Sequence, residues 1–81
     1  MLRHFEYSLI SYYQARPDGS HMNFRAPDDA AARKHAADLI ASRGETASFD
    51  SAWELLRCSG STEWSLGFFD DEGNAIEMQE E

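Results

Sequence analysis

The sequence predicts an α+β fold, a two-layer sandwich in which an antiparallel sheet of four to five strands carries one helix on one face. Polar and apolar residues alternate with a period of two on both sides of a single segment that has helical periodicity. Glycines that follow acidic residues separate the alternating stretches, as is typical of turns between strands. The predicted order is therefore β-β-α-β-β with a short fifth strand, in a single domain of residues 1–81.

The N-terminal part of the chain predicts a β-hairpin over residues 3–26. Residues 3–13, RHFEYSLISYY, alternate between apolar and polar side chains, and residues 21–26, HMNFRA, alternate again. The intervening RPDGS predicts the turn, because Pro17 fixes φ and Gly19 accepts a positive φ.

Residues 27–44, PDDAAARKHAADLIASRG, predict the helix. Pro27 suits the first turn, where its missing N–H costs nothing, and Gly44 suits the end. Asp28 and Asp29 at the start interact favourably with the positive end of the helix dipole and so stabilise the helix. The predicted buried stripe is narrow and consists mostly of small residues: Ala32, Ala36, Leu39 and Ile40.

Residues 51–59, SAWELLRCS, fit two structures. Ser51 and Glu54 have the spacing of a capping box, which favours a short helix, whereas the alternation of apolar residues favours a strand. We favour the strand because the loop SGST leads directly into a second alternating stretch, EWSLGFF. A short strand, AIEM, then follows DDEG.

This pattern places Trp64, Leu66 and Phe68 on the face under the helix. It leaves an apolar set on the opposite face: Ile10, Tyr12, Leu56, Cys58 and Phe69. An exposed apolar patch of this kind usually marks an interface. The alternative is a bulge near Phe68 and Phe69 that changes the register and returns those residues to the core.

The acidic segment Asp70-Asp71-Glu72-Gly73 could be a cation site or a turn. An EF-hand calcium loop needs its glycine at position six, whereas here the glycine is fourth from Asp70, so we favour the turn. The histidines and Cys58 have no metal-ligand spacing, and no nucleophile or phosphate-loop motif is present. We therefore predict no catalytic residue, no metal and no cofactor.

The charge is unevenly distributed along the 81 residues. Residues 1–44 carry +1 and residues 45–81 carry −9, which gives a net charge of −8. The acidic half would repel phosphates, so we expect no direct binding to nucleic acid. No apolar run is long enough to cross a membrane, and the single cysteine fits a reducing compartment, so we expect a cytoplasmic protein.

Three stretches, FEYSLISYYQARPDG, NFRAPDDAAARKHAADLIA and SAWELLRC, resemble a group of small uncharacterised proteobacterial proteins. Residues 26–41 and 52–56 carry the resemblance. It implies the strand, turn, strand, helix and strand order, and it implies no activity.

Three hypotheses follow, of which two are binding functions. The third, an enzyme or ligand binder, would need a pocket that the sequence does not show. The first is a non-catalytic protein-interaction or regulatory module, a homodimer or the partner of another protein, that binds through Ile10, Tyr12, Leu56 and Phe69. The alternative is an acidic inhibitor, similar in size and charge to phage inhibitors of nucleases, that docks on a basic nucleic-acid-binding protein through Asp70, Asp71, Glu72 and Glu77.

Overall fold

The computed structural model describes residues 4–46 and 48–76, which form one sheet and one helix. The elements are β1 (Phe5–Tyr13), β2 (Arg16–Ala26), α1 (Asp29–Ala41), β3 (Ser51–Ser59), β4 (Thr62–Phe69) and β5 (Ala75–Ile76). This confirms the predicted α+β class and its β-β-α-β-β order with a short fifth strand. Residues 51–59 are a strand, as the alternation favoured.

The five strands pair antiparallel in the order β2-β1-β3-β4-β5. The central pair joins β1 to β3, with Leu9 opposite Leu55. The chain leaves the edge strand β2, passes through α1 and returns as β3 on the far side of β1. This crossover sets the helix against one face of the sheet, called here the covered face; the opposite face is called the outer face.

Local sequence explains where α1 begins and how it packs. The Asp28 carboxylate caps the helix by accepting a hydrogen bond from the Ala31 amide at 2.8 Å. The small buried residues Ala32 and Ala36 let the helix lie close to the sheet, and Ile40 completes the stripe. No helix of the described residues is long and apolar enough to cross a bilayer.

The core lies between α1 and the covered face. Its buried members are Tyr7, Leu9, Ala26, Ala32, Ala36, Ile40, Trp53, Leu55 and Phe69. The Tyr7 ring stacks on the Phe24 ring with centroids 5.6 Å apart. Aromatic residues of the sheet therefore fill the volume that the small helix residues leave.

The first hairpin turns earlier than the sequence predicted. Gln14 and Ala15 form the turn with φ values of 52° and 64°, and the Gln14 amide donates to the Asp50 carbonyl oxygen at 2.7 Å. Asp18 and Gly19 instead lie in a bulge of β2, opposite Ser11. The prediction was wrong because the Asp18 carboxylate accepts hydrogen bonds from the Ser20 amide in the bulge and from the Ser11 hydroxyl on β1, so Pro-Asp-Gly is accommodated without reversing the chain.

A second bulge exchanges the predicted positions of Phe68 and Phe69. Leu55 pairs with Gly67 and Leu56 with Ser65, so Leu66 is an extra residue in β4. Gly67 has a φ of 117°, which only glycine adopts readily. Beyond this bulge the alternation is inverted, and Phe69 lies in the core at 5% exposure. The placement of Phe69 on the outer face was therefore wrong, and Phe68 faces outward instead.

Candidate functional site

The outer face is the candidate functional surface, because α1 packs on the opposite side and no second helix of the described residues covers it. Its residues come from all five strands. The pairing register divides it into a polar end, near the start of β1, and an apolar end, near the end of β1. The two ends have different chemistry.

Side chains at the polar end are paired with one another. Arg25 and Glu6 form an ion pair at 3.1 Å, and the Ser8 hydroxyl donates to the Asn23 side-chain oxygen at 2.7 Å. The Cys58 sulfur lies 3.6 Å from the Ser8 oxygen. These groups therefore satisfy one another's hydrogen-bonding capacity on the surface.

The apolar end contains a groove of about 480 Å³, called here the outer groove. Its lining includes Tyr12, Phe49, Ala52, Glu54, Phe68 and Ile76. The residues come from β1, β3, β4, β5 and the loop before β3, so no local stretch of sequence encodes it. Aromatic and aliphatic side chains supply most of its lining.

Glu54, the one carboxylate that the described strands contribute to the outer groove, accepts a hydrogen bond from a neighbouring tyrosine. Tyr12 donates its hydroxyl hydrogen to Glu54 Oε1 at 3.0 Å, and this hydrogen bond is the main reason that the pKa of Tyr12 is raised. The Tyr12 ring meets the Phe68 ring edge-on with centroids 6.1 Å apart. These contacts hold two aromatic rings side by side on the sheet.

The predicted partner-binding residues are only partly brought together. Tyr12 lines the outer groove, and Ile10 is half-buried on the outer face. Leu56 also lies on the outer face but is only 9% exposed. Phe69 does not belong to this surface, because the β4 bulge turns it into the core.

Sequence reasoning missed Phe49 and Phe68 as residues of the outer groove. Phe68 was assigned to the wrong face. Phe49 follows the polar stretch ETAS in the loop before β3, and an aromatic residue in a polar segment was the only signal that could have singled it out.

The predicted acidic surface is smaller than expected. Asp71 is 8% exposed and accepts hydrogen bonds from the Ser51 hydroxyl and, at 3.2 Å, from the Trp53 indole nitrogen. The prediction that Asp71 is exposed was wrong, because two donors from β3 hold its carboxylate in a buried position. Glu72 is exposed, and Glu77 lies outside the described residues.

Asp70 stabilises the turn that the sequence predicted here. Its Oδ1 accepts hydrogen bonds from the amides of Glu72 and Asn74, at 2.9 and 3.0 Å, and the Gly73 amide donates to its carbonyl oxygen. The segment is therefore a capped turn between β4 and β5. Within residues 4–46 and 48–76, no group of three His, Cys, Asp or Glu side chains is arranged to hold a metal ion.

A polar cleft of about 430 Å³ lies at the end of the covered side and includes Asp18, Asp71 and Ser51. Asp18 accepts hydrogen bonds from the Ser20 amide and the Ser11 hydroxyl, and these bonds lower its pKa. The carboxylates are occupied by internal donors, and no histidine of the described residues lines the cleft. The polar groups of the cleft thus form hydrogen bonds mainly within the protein.

Comparison with protein families, curated proteins and solved structures finds no match to this chain. The resemblance to small proteobacterial proteins therefore stays a prediction.

Proposed function

We propose that this chain is a non-catalytic protein-interaction module that forms a homodimer through its outer face. The observation that carries the proposal is the outer groove, an apolar concavity on a sheet face that no described helix covers. Contiguous apolar surface of this kind is typical of interaction sites. The proposal includes a cytoplasmic location, which the single Cys58 fits because it can form no disulfide within the chain.

The size of the outer face supports a self-complementary contact. The five strands have 9, 11, 9, 8 and 2 residues. At about 3.3 Å per residue and about 4.8 Å between strands, they cover roughly 600 Å² in flat projection. A standard interface buries about 800 Å² on each partner. Side-chain relief and the neighbouring loop raise the accessible area above the flat projection, so the face is of the size that a stable dimer needs.

The composition of the outer groove supports the same proposal. Tyr12 and Phe68 are aromatic, Ile76 is aliphatic, and all three are half-buried in the single chain. Aromatic side chains are enriched at the centres of interfaces because each buries a large area with few rotatable bonds. A second copy would remove this apolar area from water.

Sedimentation equilibrium of Phe68→Ser and of the wild type, over a wide concentration range, tests the proposal. We expect the wild type to form a dimer and Phe68→Ser to weaken the association at least tenfold, because the apolar surface of the groove is reduced. Trp64→Ser is the control, since Trp64 is an exposed aromatic residue of the same strand, β4, that stacks with Arg57 on the covered side. This control should leave the association unchanged.

A wild type that stays monomeric at every concentration would overturn the homodimer. Equal weakening by Phe68→Ser and Trp64→Ser would show that the outer face is not the contact surface. Thermal unfolding of each variant at low protein concentration checks that the monomers remain folded.

A further inference from the structure

Phe49 is the most exposed large apolar residue of the described chain, with a relative accessibility of 104%. It lies in the loop between α1 and β3, at the rim of the outer groove. No ring contact of Phe49 occurs within the described residues, whereas Tyr12 and Phe68 contact each other. A fully exposed phenyl ring therefore stands directly beside an apolar concavity.

We infer that Phe49 of one copy inserts into the outer groove of a second copy, and that the second copy makes the same contact in return. The inference rests on the proposed homodimer and names the contact that holds it. The ring and the groove lie on the same side of the molecule. A two-fold axis can therefore satisfy both copies at once and close the assembly as a dimer. A ring and groove on opposite faces would instead build an open chain.

The dimensions of the groove suit this occupant. A volume of about 480 Å³ exceeds that of one phenyl side chain and leaves room for the neighbouring backbone. Burying an aromatic side chain removes roughly 150–250 Å² from water, and the reciprocal contact does so twice. The two rings therefore supply a substantial part of the area that a standard interface buries.

The salt dependence of binding distinguishes a second acidic copy from a basic partner. Each copy has a net charge of −8, and the contact brings Asp50, which follows Phe49, toward a groove that contains Glu54. Association of two acidic copies is opposed by charge repulsion, which salt screens. The dimer should therefore become tighter as salt is raised, whereas a basic partner would bind more weakly.

Two complementary variants test the reciprocal insertion of Phe49 by sedimentation equilibrium. Phe49→Ser removes the inserting ring and one rim residue of the groove but leaves Tyr12, Phe68 and Ile76 in place, and Ala52→Trp fills the groove and keeps the ring. We expect each variant alone to associate at least tenfold more weakly than the wild type. An equimolar mixture should form a heterodimer that is tighter than either homodimer, because one ring still enters one open groove. Tyr13→Ser is the control, since Tyr13 is an exposed aromatic residue that does not line the groove.

The outcomes separate the inference from the proposed function. A wild-type dimer that Phe49→Ser leaves unchanged overturns the inference and leaves the homodimer standing. A mixture that associates no better than its components also overturns it, because the ring then acts outside the groove. A wild type that is monomeric at low and at high salt overturns the proposed homodimer itself. Binding of a polylysine-containing apolar peptide by that monomer, lost at high salt, would identify a basic partner instead.

Discussion

Phe68 and Phe69 are neighbours in the chain, yet Phe68 lines the outer groove and Phe69 lies in the core under α1. The two residues represent the two faces of the sheet. On the covered face, side chains of the sheet and the helix remove each other from water. On the outer face, a polar end is satisfied by its own pairs and an apolar end remains open. The same alternating strand thus supplies a core and a candidate interface.

In a strand, successive side chains point to opposite faces, so the number of residues between two positions determines whether they share a face. One extra residue, Leu66, inverts the assignment of every residue that follows it in β4. Hydrophobicity alone cannot reveal the inversion here, because both residues after the bulge are phenylalanine. The position of the bulge therefore determines which ring stabilises the monomer and which is available for a partner.

The largest expected difference comes from truncating these two rings. Phe69→Ala should lower the free energy of unfolding by about 3–5 kcal/mol, because it opens a cavity in the core. Phe68→Ala should cost about 1 kcal/mol in the monomer, because the ring is already half-exposed to water. Urea unfolding at a protein concentration that keeps both variants monomeric measures the two values. If Phe68→Ala cost as much as Phe69→Ala, the assignment of the two faces would be wrong.

Gly73 and Gly19 also lie in contrasting surroundings, because Gly73 packs against α1 whereas the space beside Gly19 is open. A Cβ added at Gly73 would lie 2.5 Å from the Ala37 carbonyl oxygen of α1, whereas one at Gly19 would meet no atom within 4 Å. Both residues have a positive φ, of 88° and 91°. Gly19→Ala should therefore cost about 1–2 kcal/mol from the backbone conformation alone, and Gly73→Ala about 1 kcal/mol or more beyond that.

Thermal and urea unfolding of both alanine variants measure this difference. Equal destabilisation would mean that the β4–β5 turn can move away from α1 without loss, and that the turn does not help to seal the covered face.

Two tyrosines of β1 provide the smallest and most specific test, because Tyr7 faces the helix and Tyr12 faces outward. Burial, followed by a hydrogen bond to Asp29 at 2.8 Å, raises the pKa of Tyr7 from 10.0 to about 12. The folded state therefore keeps a proton that the unfolded state loses. This contribution to stability is complete below pH 10 and is lost as the pH rises from 10 toward 12.

Urea unfolding of the wild type, Tyr7→Phe and Tyr12→Phe between pH 8 and about pH 12 measures this effect. The stability advantage of wild type over Tyr7→Phe should shrink above pH 10, because phenylalanine has no proton to lose. The pKa of Tyr12 is also raised, mainly by its bond to Glu54, so Tyr12→Phe should show a change of the same sign. A difference that does not vary with pH would contradict the contacts assigned to these hydroxyls.

Features that depend on nearby residues could be predicted from the sequence. Asp28 caps α1 through an amide three residues away, and the small residues of the buried stripe follow helical spacing. The turn between β4 and β5 forms through the carboxylate of Asp70, which bonds amides two and four residues along the chain. These interactions are local, so the residues that make them lie together in the sequence.

Features that depend on contacts between distant residues could not be predicted from the sequence. Gln14 and Ala15 adopt left-handed conformations that their own chemistry does not favour, and the Gln14 amide bonds the carbonyl oxygen of Asp50. Asp71 turns inward because Ser51 and Trp53, about 20 residues earlier, donate hydrogen bonds to it. The outer groove combines side chains from four strands and a loop, so its residues become neighbours only when the sheet is assembled.

The element order, the small-residue stripe of the helix and the presence of apolar residues on both sides of the sheet follow from the amino-acid sequence. The strand order, the site of the first turn, the burial of Asp71 and the exchange of Phe68 with Phe69 arise from contacts between distant parts of the chain. The physical reason is the range of the interactions. Periodicity and capping act over a few residues, whereas bulges, buried hydrogen bonds and grooves depend on which distant strands become neighbours.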